Sequence, residues 1–243
     1  MTMLWLWSVA IKNVSIVDIF WGLGFVVVNT FYVYASGDLN PRKLLVWVLV
    51  FLWGTRLSSY IFWRNLGKGE DFRYKEFRRS YGPERYWWVS YFQTFLLQGV
   101  LMMMVSLPLL GVSQTVSSGK LTWLDCVALL VWVVGFSFET GGDYQLVKFK
   151  KNLASKGKVL DKGFWRYTRH PNYFGDAAVW WAYGLFSIAA GNYWQIIGSV
   201  IMTILLIKVS GVALLEKTMK QTKPQYTEYI RKTNAFFPWF PKK

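Results

Sequence analysis

Long apolar stretches, each closed by a polar or basic link, organise the chain. Six apolar spans of roughly 19–26 residues run over 14–35, 44–63, 91–111, 122–147, 172–190 and 194–215. Each is close to the length of about 20 residues with which a helix crosses a bilayer. The pattern therefore predicts an all-α, polytopic transmembrane bundle of six to seven helices, built as one integral membrane domain over 1–243. Residues 1–11 are apolar but too short to span. They fit either an interfacial segment or a shortened first helix, and they lack a signal-peptide cleavage pattern. Pro171 opens the fifth span. A proline suits the first turn of a helix, where its missing N–H would have no helical partner.

The links alternate in charge. Lys12 and the basic residues of 64–87, 148–170 and 217–243 supply 23 of the 28 Lys and Arg. Only Arg42, Lys43 and Lys120 fall on the other side, while Arg56 and Lys208 lie within spans. This asymmetry predicts a multi-pass membrane protein with both basic loops and the C-terminus facing the cytoplasm. It also accounts for the net charge of +15 without nucleic acid as a partner. Composition agrees, with 53% hydrophobic and 19% aromatic residues. Trp5, Trp7, Trp21, Trp47, Trp87, Trp88, Trp123, Trp194 and Trp239 lie near predicted span ends, as interfacial belts require. One Cys and one His give little basis for a disulfide or a zinc centre, so no metal is expected.

Ionisable residues inside spans are costly and call for a partner or a function. Asp18 and Arg56 lie in the first two spans, where a buried ion pair between them would satisfy both. Asp125 sits at an external edge, within reach of lipid headgroups. Glu139 and Asp143 are four apart, as are Asn172 and Asp176, so each pair shares a helix face. Gly135, Gly141 and Gly142 would admit another backbone or a flat ligand. With Glu216, these polar residues predict a cleft open to the cytoplasm. Lys208 could snorkel outward or pair inward with the carboxylates. Arg166 and Arg169 precede the predicted N-terminus at Pro171, and together they would form an anion site for phosphate or carboxylate. The Tyr and Arg clusters beside the cleft, Tyr226 included, suit an adenine ring and phosphates or a membrane surface equally.

Three groups of residues carry a family resemblance. The first is the 163–176 segment with Arg169-His170-Pro171-Asn172 and Asp176, preceded by Glu139 and Asp143. The second is the tail with Leu215-Glu216-Lys217, Tyr226, Tyr229 and Phe237-Pro238-Trp239. The third comprises Ser15-Ile16-Val17-Asp18 and Trp53-Gly54-Thr55-Arg56-Leu57. Together they resemble the bacterial, largely uncharacterised branch of the steroid 5-alpha-reductase family. The resemblance implies about seven membrane helices, NADPH in a cytoplasm-facing cavity and hydride transfer to the beta carbon of a lipid-soluble enone. Its cofactor set would be Glu139, Asp143, Arg166, Tyr167, Arg169, His170, Asn172, Tyr173, Asp176, Glu216 and Tyr226, carried by the half from 122 to 243. Lys150 and Lys158 would be looser phosphate partners. For polarising the substrate carbonyl the candidates are Asp18, Arg56, Tyr60 and Tyr74. The chain departs from the family pattern in its short first segment and in lacking a securely placed Gln-Glu pair. The C-terminal half also resembles isoprenylcysteine and phospholipid methyltransferases, which would bring S-adenosylmethionine instead. A lipid-binding membrane protein without catalysis is the third reading.

Overall fold

A computed structural model describes residues 1–115, 120–209, 212, 216, 219 and 225–242. Every regular element among them is helical. The chain divides into two compact units, Met1–Lys120 and Leu121–Lys243.

The first unit begins with α1 (Thr2–Ala10), which at nine residues is about 13 Å long and cannot span a bilayer. Its Met3, Leu6 and Trp7 are exposed, while Trp5 stacks on Trp87 and meets Tyr91. A turn that holds Lys12 at φ 53° leads into α2 (Ile16–Ala35). The next helix, α3 (Pro41–Asn65), starts where Asn40 accepts the Lys43 N–H at 3.0 Å and Pro41 takes the first turn. Asp71 caps α4 (Phe72–Tyr81) in the same way. Gly82 supplies the φ of 83° from which α5 (Pro83–Ser90) departs. A π-helical stretch, Tyr91–Leu96, joins α5 to α6 (Leu97–Val105) in one rod, and α7 (Leu107–Ser113) follows.

The second unit opens with α8 (Trp123–Lys151). Asp125 closes its first turn by accepting the N–H of Thr122 at 2.6 Å and its hydroxyl at 3.0 Å. Asp125 is therefore buried rather than set among headgroups. Short 3-10 turns at Leu153–Ser155 and Gly163–Arg166 lead to α9 (Pro171–Ala189), with Pro171 in the first turn as expected. Next comes the helix Trp194–Val209, comprising a 3-10 turn, α10 (Ile197–Ile204) and a π-helical end, and then α11 (Tyr226–Lys232). Lys208 is exposed, which matches the outward alternative.

Among the described residues, four helical segments are long and apolar enough to cross a membrane: Ile16–Ala35, Pro41–Asn65, Pro83–Val105 and Trp123–Lys151. They correspond to the first four expected spans. α9 coincides with the fifth but is more polar, and 16 residues of the sixth are described as helix. The end of that span at Ser210, Gly211 and 213–215 lies outside the described residues. Val27, Phe31, Leu130 and Val133 face outward, whereas Asn29, Glu139 and Asp143 are buried. Polar groups turned inward and apolar groups outward is the distribution a lipid solvent selects.

Each unit is built on an antiparallel helix pair that meets at facing glycines. A Cβ on Gly22 would lie 2.4 Å from the carbonyl oxygen of Gly54, and one on Gly54 would lie 2.6 Å from that of Gly22. Between α8 and α9, a Cβ on Gly175 would fall 2.3 Å from the Glu139 nitrogen and 2.4 Å from the Gly135 oxygen. Backbone cannot yield as a side-chain tip can. Gly175→Ala should therefore cost about 1–3 kcal/mol through overpacking, despite the better helix propensity of alanine. Gly24→Ala should be nearly neutral, because the atoms in its way are the flexible end of Met102. Thermal unfolding of the two variants in detergent tests this ordering, and equal melting points would refute it.

Candidate functional site

The glycine contact sets the geometry of a buried polar seam. On α8, Trp132, Gly135, Glu139, Gly142 and Asp143 share one buried face. Gly142 lies against Pro171 and the Asn172 nitrogen, which brings the start of α9 onto α8. The Asn172 amide then donates to Asp143 Oδ1 at 3.2 Å. One turn deeper, Glu139 is 2% exposed beside Gly175. Deeper still, Trp132 Nε1 donates to the Tyr183 hydroxyl at 3.1 Å, and that hydroxyl is within electrostatic reach of Glu139 and Asp176. The seam runs over twelve residues on each helix, Trp132–Asp143 and Asn172–Tyr183, a rise of about 16 Å. Glu139, Asp143, Asn172 and Asp176, paired from spacing alone, are thus brought together from two helices. Of the two occupants the glycines could admit, Gly135 and Gly142 receive α9 backbone, and Gly141 receives the Phe164 ring.

The 163–170 segment folds over the end of this pair at which Gly142 meets Pro171. Trp165 Nε1 donates to the Gly142 carbonyl at 3.1 Å, and the Phe164 N–H donates to Gln145 at 3.0 Å. Its basic residues differ sharply in setting. Arg166 is exposed. Arg169 is buried and donates to Glu216 at 2.7–2.8 Å, to the Ile230 carbonyl at 3.2 Å and to the Thr233 carbonyl. His170 Nε2 lies 3.3 Å from the same Glu216 oxygen, and its ring stacks on Tyr173. Thr168 donates to the Phe236 carbonyl at 2.8 Å, and Tyr229 donates to the Trp165 carbonyl. The exposed Tyr167 ring meets Phe240, and its carbonyl accepts the Trp239 N–H at 2.9 Å. Arg169 and His170 are therefore committed to tying the C-terminal segment to the start of α9. Leu215 and Lys217 of the tail motif lie outside the described residues.

Electrostatics follows from these partners. Burial alone would raise the Glu216 carboxyl, but hydrogen bonds from His170 and Arg169 outweigh it and hold the group below its ordinary value. Burial and the nearby Glu216 charge push the Tyr226 hydroxyl up to about 12, so it stays protonated.

The four carbonyl-polarising candidates belong to the first unit. Asp18 is bound by Arg73 at 2.7 Å and by the Tyr74 hydroxyl at 2.7 Å, so the expected Asp18–Arg56 pair gives way to partners on α4. Arg56 instead lies over the Tyr60 ring at 5.2 Å. Arg73 also reaches Asp71 at 2.9 Å; burial works against that carboxylate, but the Arg73 hydrogen bonds hold it below its usual range. Burial, followed by the Asp18 charge, drives the Tyr74 hydroxyl well above its ordinary value. Gln98 Nε2 lies 3.5 Å from the same hydroxyl. Sequence reasoning missed Arg73 and Gln98 here, and Trp132, Trp165, Thr168 and Tyr183 in the second unit. Arg73 adjoins Tyr74 in a segment already conspicuous for its charge, but its partner is 55 residues away.

Glu216 has a pH signature. Its folded-state value lies below the unfolded one, so its stabilisation is present above the ordinary carboxylate range near 4.5 and fades as pH falls through the depressed value. Glu216→Gln should lose about 2 kcal/mol at pH 7 and flatten the acid side of the stability profile. Unfolding in detergent from pH 7 to pH 3 checks this, and an unchanged profile would remove Glu216 from the tie.

Comparison with known proteins places the chain among relatives of undefined activity. An uncharacterized protein of Schizosaccharomyces pombe is 25% identical over 262 aligned positions, which cover 96% of this chain and 75% of the relative. No solved structure matches at a significant level. Residues 4–233 match the family described as protein of unknown function (DUF1295), and the chain belongs to that family.

Proposed function

We propose that this chain is an integral membrane oxidoreductase that uses NADPH to reduce the C=C bond of a lipid-soluble enone. The observation that carries the reading is the polar seam in which Asn172 of α9 donates to Asp143 of α8, with Glu139 buried beside Gly175 and half-buried Asp176 next to it in the chain. Such a seam is rich in acceptors, as the amide hydrogens of a nicotinamide and the hydroxyls of a ribose require. Exposed Arg166, Lys148, Lys156 and Lys162 add positive charge nearby in the chain, suited to phosphates. The residues therefore fit the cofactor that the steroid 5-alpha-reductase resemblance implies. In this reading Asn172, Asp143, Asp176 and Glu139 hold the nicotinamide–ribose portion, and Arg166 contacts phosphate. Arg169 and His170 act as positioning residues, through Glu216 and the tail. Bound NADPH supplies the hydride; the protein's part is to orient it, exclude water and stabilise charge at the carbonyl oxygen. The finer topology belongs to the same proposal: α9 and the Trp194–Val209 helix complete a bundle of six to seven helices, with the basic links and the C-terminus cytoplasmic.

A second reading rests on the Arg169–His170–Glu216 cluster. It is the part of the chain that most resembles the isoprenylcysteine and phospholipid methyltransferases, and it would bring S-adenosylmethionine to the same acceptors.

Thermal shift of detergent-purified protein with NADPH, NADH and S-adenosylmethionine separates the readings. A ligand at a hundred times its Kd stabilises by about 2.7 kcal/mol. NADPH should raise Tm by several degrees, and Asn172→Ala and Asp176→Ala should abolish the shift while leaving the unliganded protein folded. A response to S-adenosylmethionine alone would favour the methyltransferase. Silence from all three in folded protein would overturn both enzyme readings and favour a lipid-binding protein.

A further inference from the structure

The first unit contains a cavity of about 550 Å³ that neither the seam nor the tail explains. Ile16, Ile19, Phe20 and Leu23 of α2, Phe62 of α3 and Trp7 of α1 form its apolar wall. The volume lies within the range of about 300–1,000 Å³ usual for small-molecule sites. Along α3 the lining runs from Thr55 to Asn65, a rise of about 15 Å. That is half of a hydrocarbon core about 30 Å thick, the depth of a single leaflet.

One end of the cavity is polar, where Asn13 and Ser15 precede α2, Asn65 ends α3, and Gly67 and Gly69 follow it. The charges around this mouth are unequal. Glu70 is taken by Arg78 at 2.8 Å and by the Val14 N–H at 2.9 Å, and Asp71 shares Arg73 with Asp18, which leaves one carboxylate charge against three further cations. Lys12, Arg64 and Lys68 are exposed and adjoin the lining residues in the chain, so the mouth carries net positive charge. Lys12 sits there at φ 53°, a left-handed conformation that costs a lysine backbone energy. Gly67 and Gly69, with φ of 75° and 71°, border open space.

An apolar slot one leaflet deep under a basic mouth matches an acyl chain attached to a phosphate. We propose that the cavity binds one anionic phospholipid, with an acyl chain between α2 and α3 and its phosphate at Lys12, Arg64 and Lys68. This site is independent of the reductase reading and involves none of its residues.

The test uses the full chain in neutral detergent, titrated with phosphatidylglycerol or phosphatidylcholine of identical chains and read by native mass spectrometry. One phosphatidylglycerol should be retained per chain, roughly tenfold or more tighter than phosphatidylcholine. The triple variant Lys12→Gln, Arg64→Gln, Lys68→Gln should erase that preference. Ile19→Trp should fill the slot and expel the lipid. Ser59→Trp, at an exposed lining position, repeats the test with little demand on folding, and circular dichroism confirms that each variant is folded. Inorganic phosphate at millimolar concentration should not displace the lipid. Equal retention of both lipids, wild-type binding by Ser59→Trp, or full displacement by phosphate would each overturn the assignment.

Discussion

The close approach of α8 and α9 at Gly135 and Gly175 is the constraint on which the candidate site depends. Lipid offers no water to an unsatisfied carboxylate or amide, so polar side chains in the spans must find one another. They can do so only where two helices come closer than ordinary side chains allow. The missing Cβ atoms bring the α9 backbone against Glu139 and place Asn172 beside Asp143. Larger residues at these positions would hold the helices apart and leave buried charge without its partners.

A second constraint acts at the end of the seam. The first turn of α9 follows three residues, Thr168, Arg169 and His170, that are buried and hydrogen-bonded. Their partners lie on Glu216 and on carbonyls between Ile230 and Phe236, 46 to 68 residues further along the chain. The Arg169 guanidinium, whose fork could have gripped a phosphate, instead satisfies backbone carbonyls and a carboxylate. A charged residue in a cofactor-like motif can thus serve the site by fixing the segment that borders it. The first unit uses the same economy, with Arg73 joining Asp18 to Asp71 and fixing α4 against the start of α2.

Much of this architecture was legible in the residues. Apolar run lengths located the long helices to within a few residues, except the third. That helix begins at Pro83, eight residues before its apolar run, because the first turn of α5 carries Glu84 and Arg85, and it ends at Val105, six residues before the end of that run, where α7 begins a separate helix. The four-residue spacings of Glu139 with Asp143 and of Asn172 with Asp176 identified two polar faces, since helical periodicity is local. Asp125 was misjudged because a capping carboxylate and a headgroup-facing one look alike until the helix start is seen. Asp18 was given the wrong cation because Arg56 and Arg73 are equally basic, and only packing decides which guanidinium arrives.

The sequence by itself determined the helical class, the apolar lengths that suit a bilayer, the charge asymmetry of the links and the start of α9 at Pro171. These follow from composition, periodicity and local backbone chemistry. Only the tertiary structure decided that Asp143 meets Asn172 and Glu139 meets Gly175, that Arg169 and His170 share Glu216, that Asp18 belongs to Arg73 and Tyr74, and that a leaflet-deep cavity lies beside α2 and α3. Each of these joins residues far apart in the chain, and their pairing is set by steric fit between helices, which no local pattern encodes.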